Sequence, residues 1–305
     1  MPFLFLRDGN PLRDIRGPYI VYAIILANCA VFAATNYAPN LIFQLGFLPS
    51  WAGLYNDPLT LASYQFVHGG WGHIFANLLM LYIFGDNIED SMGHAKFLLF
   101  YLLTGAGSAL MYGAVEGLAG AEPRTLIGAS GSIAGVLAAY VMLHPRARVL
   151  VLVAFKFPVF APSWLLIGIY IALDVLMAFT GGFGRPDAAS VGWWAHIGGF
   201  VTGLALVPLF KRRKVPFFAP AVHYPETPFP EIERETGGKI RRLLPFLGKQ
   251  EVADRAYEAD KAKRKPLAGW AAVLVVILKI VSYISLLVYL SLEFEMLSRI
   301  AGLDI

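Results

Sequence analysis

The chain has 305 residues, 57% hydrophobic and 15% charged, with a mean hydropathy of +0.59; it is too apolar for a soluble domain and reads as an integral membrane protein. Its formal net charge of +4 gathers at one side of the apolar runs, so topology and anionic lipid account for it and nucleic acid is not implied. The single cysteine, Cys29, excludes a disulfide framework and a cysteine metal site.

Crossing roughly 30 Å of hydrocarbon takes about 20 apolar residues, and on that measure seven transmembrane helices are expected, at 18–38, 73–86, 96–115, 130–143, 162–180, 195–210 and 267–292. The expected fold is an all-α membrane protein with a six-helix core and one additional C-terminal helix. A charged segment at 1–17 precedes the core at 18–210. The stretch 211–266, rich in proline and charge, reads as a polar linker with a short amphipathic helix at 250–263, and a short tail follows at 293–305.

Lys and Arg in short loops set orientation. Arg7, Arg13 and Arg16 precede the first span, Arg146 and Arg148 follow the fourth, Lys211 and Lys214 follow the sixth, and Lys261 and Lys265 precede the seventh. All of these place the N-terminus in the cytoplasm. The connection at 40–72 is then on the outer side, where Trp51, Tyr55, Tyr64, Phe66 and Trp71 suit a loop lying partly in the interface. No cleavable signal is expected, and the lack of an amphipathic Arg-rich presequence points to a bacterial inner membrane.

Polar residues inside the spans carry the functional signal. Ser130 opens the fourth span in the run Gly128-Ala129-Ser130-Gly131, and His196 lies in the sixth in Ala195-His196-Ile197-Gly198-Gly199. Ser130 precedes His144 by 14 positions and His196 precedes Lys211 by 15. At 1.5 Å per residue both sit roughly 21 to 23 Å above the inner face, several ångströms below the outer surface. A serine and a histidine sharing that depth imply an enclosed, watered site. Gly131 and Gly135 on one span and Gly199 and Gly203 on the other have the spacing that lets membrane helices approach closely.

A serine hydroxyl needs a base to take its proton, and the oxyanion it creates needs fixed donors. His73 and Asn77 stand one turn apart on the second span, with His68 just before it. Asn77, His68 and the Ser130 backbone N–H can serve as such donors. Singly, each residue has a plainer explanation. An intramembrane serine commonly bonds its own helix, an interfacial histidine is commonly structural, and paired glycines commonly mark packing alone. Three imidazoles, His68, His73 and His196, also suit zinc, but neither carboxylate nor cysteine is expected at their depth.

His68, His73 and Asn77, the Gly128 to Gly131 run, and His196 with Gly199 and Gly203 occur in that order on the second, fourth and sixth spans. With this pattern the chain resembles the rhomboid family of intramembrane serine proteases over about 18–210. The resemblance implies a Ser130–His196 dyad with no carboxylate partner and no cofactor, and an oxyanion site of Asn77, His68 and the Ser130 backbone. It also implies substrates that are single-pass membrane proteins, unwinding near small residues, admitted past the fifth span and cut near the outer surface. Glu89 resembles a glutamate that the family often carries at the inner end of its second span.

Two positions depart from the family pattern. Ala134 stands where many members have an aromatic that packs on the histidine, and Leu59 and Thr60 occupy the place of a Trp-Arg pair. Trp193 or Trp194 is expected to supply the missing ring. Asp174 in the fifth span and Lys279 in the seventh are expected either to pair across helices or to be satisfied separately, Lys279 by snorkelling. Two other functions remain open: a catalytically silent binding or extraction module, which is expected to have lost Ser130 or His196, and a transporter, which should show repeat symmetry between halves.

Overall fold

The computed structural model describes residues 3–10, 12–118, 124–153, 157–180 and 192–219. In chain order its helices are α1 (Tyr19–Tyr37), α2 (Leu41–Leu45), α3 (Trp51–Asn56), α4 (Thr60–Ser63), α5 (Trp71–Met92), α6 (His94–Leu118), α7 (Ser130–Leu143), α8 (Ser163–Thr180) and α9 (Trp193–Phe210). The long helices α1 and α5 to α9 fall on the first six apolar runs of the sequence. The seventh run at 267–292, the linker beyond residue 219, Lys279 and the tail lie outside the described residues.

Four helices, α1, α6, α8 and α9, are long and apolar enough to cross a bilayer, and the chain is a multi-pass membrane protein. The other two are atypical for physical reasons. The 14 residues of α7 make a rod of about 21 Å, too short to cross and almost wholly buried among α5, α6, α8 and α9. The inner end of α5 carries Asp86, Asn87, Glu89 and Asp90.

Polar side chains on α1 return to their own helix, as a medium without water demands. Asn28 Nδ2 donates to Ile24 O at 2.8 Å and the Thr35 hydroxyl to Phe32 O at 3.0 Å. The helix stops at Ala38 because Pro39 disfavours helical geometry in the residue before it.

The expectation of a purely helical fold is corrected by a three-stranded antiparallel sheet, ordered β1 (Phe3–Asp8), β2 (Arg148–Val153) and β3 (Phe157–Pro162). β2 pairs with β3 in register from Arg148 opposite Pro162 to Val153 opposite Phe157, while β1 joins the other edge with an irregularity between Phe5 and Arg7. Val149 and Val151 are buried and alternate with more exposed neighbours, the period-two pattern of a half-covered strand. The Leu and Val run after Arg148 is too short to span a membrane.

Two carboxylates at the end of α5 organise the N-terminal segment. Glu89 Oε1 and Oε2 accept the N–H groups of Ile20 and Val21 at 3.0 and 2.9 Å, satisfying donors that the first turn of α1 leaves open. Asp90 accepts from the backbone N–H groups of Arg13, Asp14 and Ile15 at 2.6 to 2.7 Å. α5 then ends at Gly93, whose φ of +87° is left-handed, and the Arg212 guanidinium packs against it.

Backbone hydrogen bonds tie the connection at 40–72 to the segment before α7. Phe47 and Leu126 exchange two backbone hydrogen bonds at 3.0 and 2.7 Å, and Gly128 N–H donates to Tyr64 O at 2.9 Å. Phe47, Tyr64, Ala109, Tyr112, Leu126 and Ala195 form a second apolar cluster apart from the main core. The segment leading into α7 is therefore held by the connection between α1 and α5.

Candidate active site

Ser130 is the first residue of α7, where the helical N–H groups lack intrahelical acceptors and the peptide dipoles favour negative charge. The turn before it depends on Gly128. Its φ is +119°, and a Cβ there would stand 2.7 Å from His73 Nε2, so both conformation and space require glycine. The following turn is anchored to the outer loop by Ser132, whose hydroxyl donates to Gln65 Oε1 at 2.8 Å.

The glycine pairs bring α7 and α9 together. A Cβ on Gly199 would lie 1.9 Å from Gly131 O, and one on Gly203 would lie 2.6 Å from Gly135 O. Neither position leaves room for any other residue. Gly131 and Gly135 are in turn crowded from α6, by Ser108 and Thr104. Ser130 precedes one contact point directly and His196 lies one turn before its partner, so the two residues flank the tightest part of the crossing.

The His196 ring is held on three sides. Its Nδ1 is 3.1 Å from Asp174 Oδ2 and 3.4 Å from the Tyr170 hydroxyl. The Tyr170 ring stacks on it at 6.3 Å with an interplanar angle of 26°, and Trp193 meets it edge-on at 6.0 Å. The imidazole is 11% exposed and the Asp174 carboxylate fully buried.

Next come His68, in the turn before α5, and His73 and Asn77 on α5 itself. His68 is buried, with Nε2 facing the Ala129 N–H at 3.5 Å, and its ring meets His73 edge-on at 4.9 Å. Asn77 is buried one turn below His73 and donates one amide N–H to His73 O at 2.8 Å. An amide carries a second N–H. Among the described residues no group of three or more His, Cys, Asp or Glu is arranged to hold a metal ion.

A family profile described as Rhomboid domain matches residues 55–213, a stretch that contains every one of these groups. The chain belongs to the rhomboid family. Among curated relatives it is 34% identical to Rhomboid-like protein 11, chloroplastic, of Arabidopsis thaliana over 128 residues, covering 40% of this chain and 41% of that protein. It is 26% identical to Rhomboid protein 1, mitochondrial, of Saccharomyces cerevisiae over 188 residues, covering 61% and 51%. With RHOMBOID-like protein 12, mitochondrial, of Arabidopsis thaliana it shares 27% identity over 217 residues, covering 66% and 62%. The chain thus spans between 41% and 62% of the length of these relatives.

In this rhomboid the structure places Ser130, His196, His68, His73, Asn77 and the four helix-packing glycines where α5 and α9 flank α7. Two expectations change. His196 does have a carboxylate partner, because Asp174 reaches it from α8, and a carboxylate therefore does stand at the depth of the imidazoles. Asp174 contacts His196, while Lys279, its other expected partner, lies outside the described residues. The ring that stacks on His196 in place of Ala134 belongs to Tyr170, with Trp193 edge-on, while Trp194 packs against Phe179 at 5.1 Å. Tyr170 went unnoticed in the sequence, yet its position four residues before Asp174 put both on one face of α8.

Proposed function

We propose that this rhomboid is an intramembrane serine protease with Ser130 as nucleophile and His196 as general base. The contact of Gly199 with the Gly131 backbone carries this reading, because it sets the opening turns of α7 and α9 side by side with the two residues next to it. The catalytically silent module expected as an alternative would lack one of them.

In the proposed reaction, Ser130 Oγ adds to the scissile carbonyl carbon as its proton passes to His196 Nε2, the nitrogen not engaged by Asp174 and Tyr170. The carbonyl oxygen becomes an oxyanion at the N-terminus of α7, with the Ser130 N–H, the free amide N–H of Asn77 and His68 as its surroundings. The imidazolium returns the proton to the leaving amine as the C–N bond breaks. A water then attacks the acyl-enzyme, His196 takes its proton, and the carboxyl product leaves Ser130 free.

The proposed substrates are single-pass membrane proteins whose helix unwinds near small residues close to the outer surface. Access past α8 suits the fact that only 17% of its apolar window is buried, the smallest share among the four crossing helices. The proposed setting is a bacterial inner membrane with the N-terminus in the cytoplasm.

The test is cleavage of a single-pass transmembrane substrate by purified protein in detergent, beside Ser130→Ala and His196→Ala. Cleavage by the parent alone supports the protease. A folded parent that binds several such substrates without cutting any would leave the silent binding module.

A further inference from the structure

Asp174 is the one carboxylate on α8, a helix whose other faces carry Ile169, Val175, Leu176 and Phe179 outward. Ser163, Leu166, Ile167 and Asp174 form its buried stripe, and the aspartate at the end of that stripe has no exposed surface. A carboxylate at this depth costs several kcal/mol unless it is partnered. Its partners are His196 Nδ1, at 3.1 Å, and the Tyr170 hydroxyl, and its second oxygen, Oδ1, accepts no hydrogen bond among the described residues. Structural needs of α8 therefore do not account for it; a hydrophobic residue would serve the helix better.

We infer that Asp174 is a positioning residue for catalysis, which turns the proposed Ser130–His196 dyad into a three-membered arrangement. The inference rests on the protease reading above. An ionised carboxylate only accepts, so the hydrogen on Nδ1 must point at Oδ2. The lone pair of the neutral imidazole is then on Nε2, the one tautomer able to take the Ser130 proton. When that proton arrives, the imidazolium keeps its Nδ1–H on Asp174, whose charge stabilises it without accepting the proton. Tyr170 stacks its ring on the imidazole, and its hydroxyl, 3.4 Å from the same nitrogen, also bonds Asp174. The remaining titratable groups that face His196 are His73 and, behind it, His68, both from the α5 side.

The experiment measures kcat and KM separately for the full-length protein in detergent with a single-pass substrate. Parent, Asp174→Asn, Asp174→Glu, Ser130→Ala and His196→Ala are compared, with thermal unfolding recorded for each. Asp174→Asn should lower kcat by about 10²- to 10⁴-fold with KM within about twofold, because the amide can hold the wrong tautomer. Asp174→Glu, which keeps the carboxylate, should recover part of kcat. A folded Asp174→Asn that retains kcat within about twofold overturns the inference while the protease reading stands. Should that variant fail to fold, Asp174→Ser is assayed with and without formate. Restoration of kcat by the small carboxylate supports the role, and a kcat indifferent to formate overturns it. A parent that neither cleaves nor reacts at Ser130 with a fluorophosphonate removes the protease reading and the inference together.

Discussion

Gly199 lies so close to Gly131 that a methyl group on the first would stand 1.9 Å from the carbonyl oxygen of the second. The overlap is with backbone, which cannot rotate away as a side chain can. Gly199→Ala should therefore push α9 off α7, costing about 1–3 kcal/mol and separating Ser130 from His196. A displacement of about 1 Å can cost on the order of 10²-fold in rate. Gly203→Ala, with 2.6 Å to Gly135 O, should do less of both. Thermal unfolding and substrate cleavage measured together check the order, and equal activity of the two variants would contradict it.

Gly128 bears a different strain. Alanine there must adopt a φ of +119° and meet His73 Nε2 at 2.7 Å, which costs on the order of 1–3 kcal/mol. Since the turn sets the start of α7, the expected signature is slow labelling of Ser130 by a fluorophosphonate in protein that still folds. Labelling at the parent rate would show that the turn tolerates the side chain.

The stacking of Tyr170 on His196 separates two aromatic predictions. Tyr170→Ala should lower kcat by about tenfold or more by freeing the imidazole, and Tyr170→Phe should lose much less because the ring remains. Trp194→Ala should leave turnover near the parent value, because that ring contacts Phe179. Trp193→Ala should fall between. Kinetics of the four variants decide among them.

Glu89 acts on stability. Its carboxylate is fully buried, accepts two N–H groups at the start of α1, and pairs with the His94 imidazole. Glu89→Ala would leave those donors without their acceptor and should cost about 1–3 kcal/mol, with kcat of the folded fraction unchanged. Chemical unfolding with parallel kinetics reads both; a drop in kcat at full stability would assign Glu89 a part in turnover instead.

Acid sensitivity should follow from His144, which lies just beyond the inner end of α7. Burial, and after it the Arg13 guanidinium, push the imidazole down to about 4. The unfolded chain, with an ordinary histidine near pH 6.5, then binds the proton first. The stability held by the neutral ring is full above about pH 6.5 and is lost as pH falls through that value toward about 4, below which both states are protonated. His144 also meets Ser91 Oγ at 3.0 Å through Nε2. His144→Gln should flatten the unfolding midpoint between pH 6.5 and 4 relative to the parent, and an unchanged slope would exclude this origin.

The sequence by itself determined the membrane class, the first six helical runs and the residues proposed to carry the chemistry. The reason is physical: hydrocarbon penalises polar groups so heavily that Ser130, His196, His68 and Asn77 stand out against an apolar background. The glycine spacing likewise declared which faces of α7 and α9 would meet, because a missing side chain has few other uses in a membrane helix.

Only the tertiary structure decided which groups would be partners. Asp174 was conspicuous, but depth counting compares positions along single helices and says nothing about rotation or crossing, so its contact with His196 was not foreseen. Tyr170 was invisible for the same reason, since a tyrosine in a span needs no explanation until a neighbour is seen. The strand at 148–153 and the fit of the 40–72 loop onto the turn before Ser130 depend on contacts between segments distant in sequence, such as Phe47 with Leu126. Those contacts are made by backbone groups, which every residue carries alike, and their pairing is settled when the chain packs.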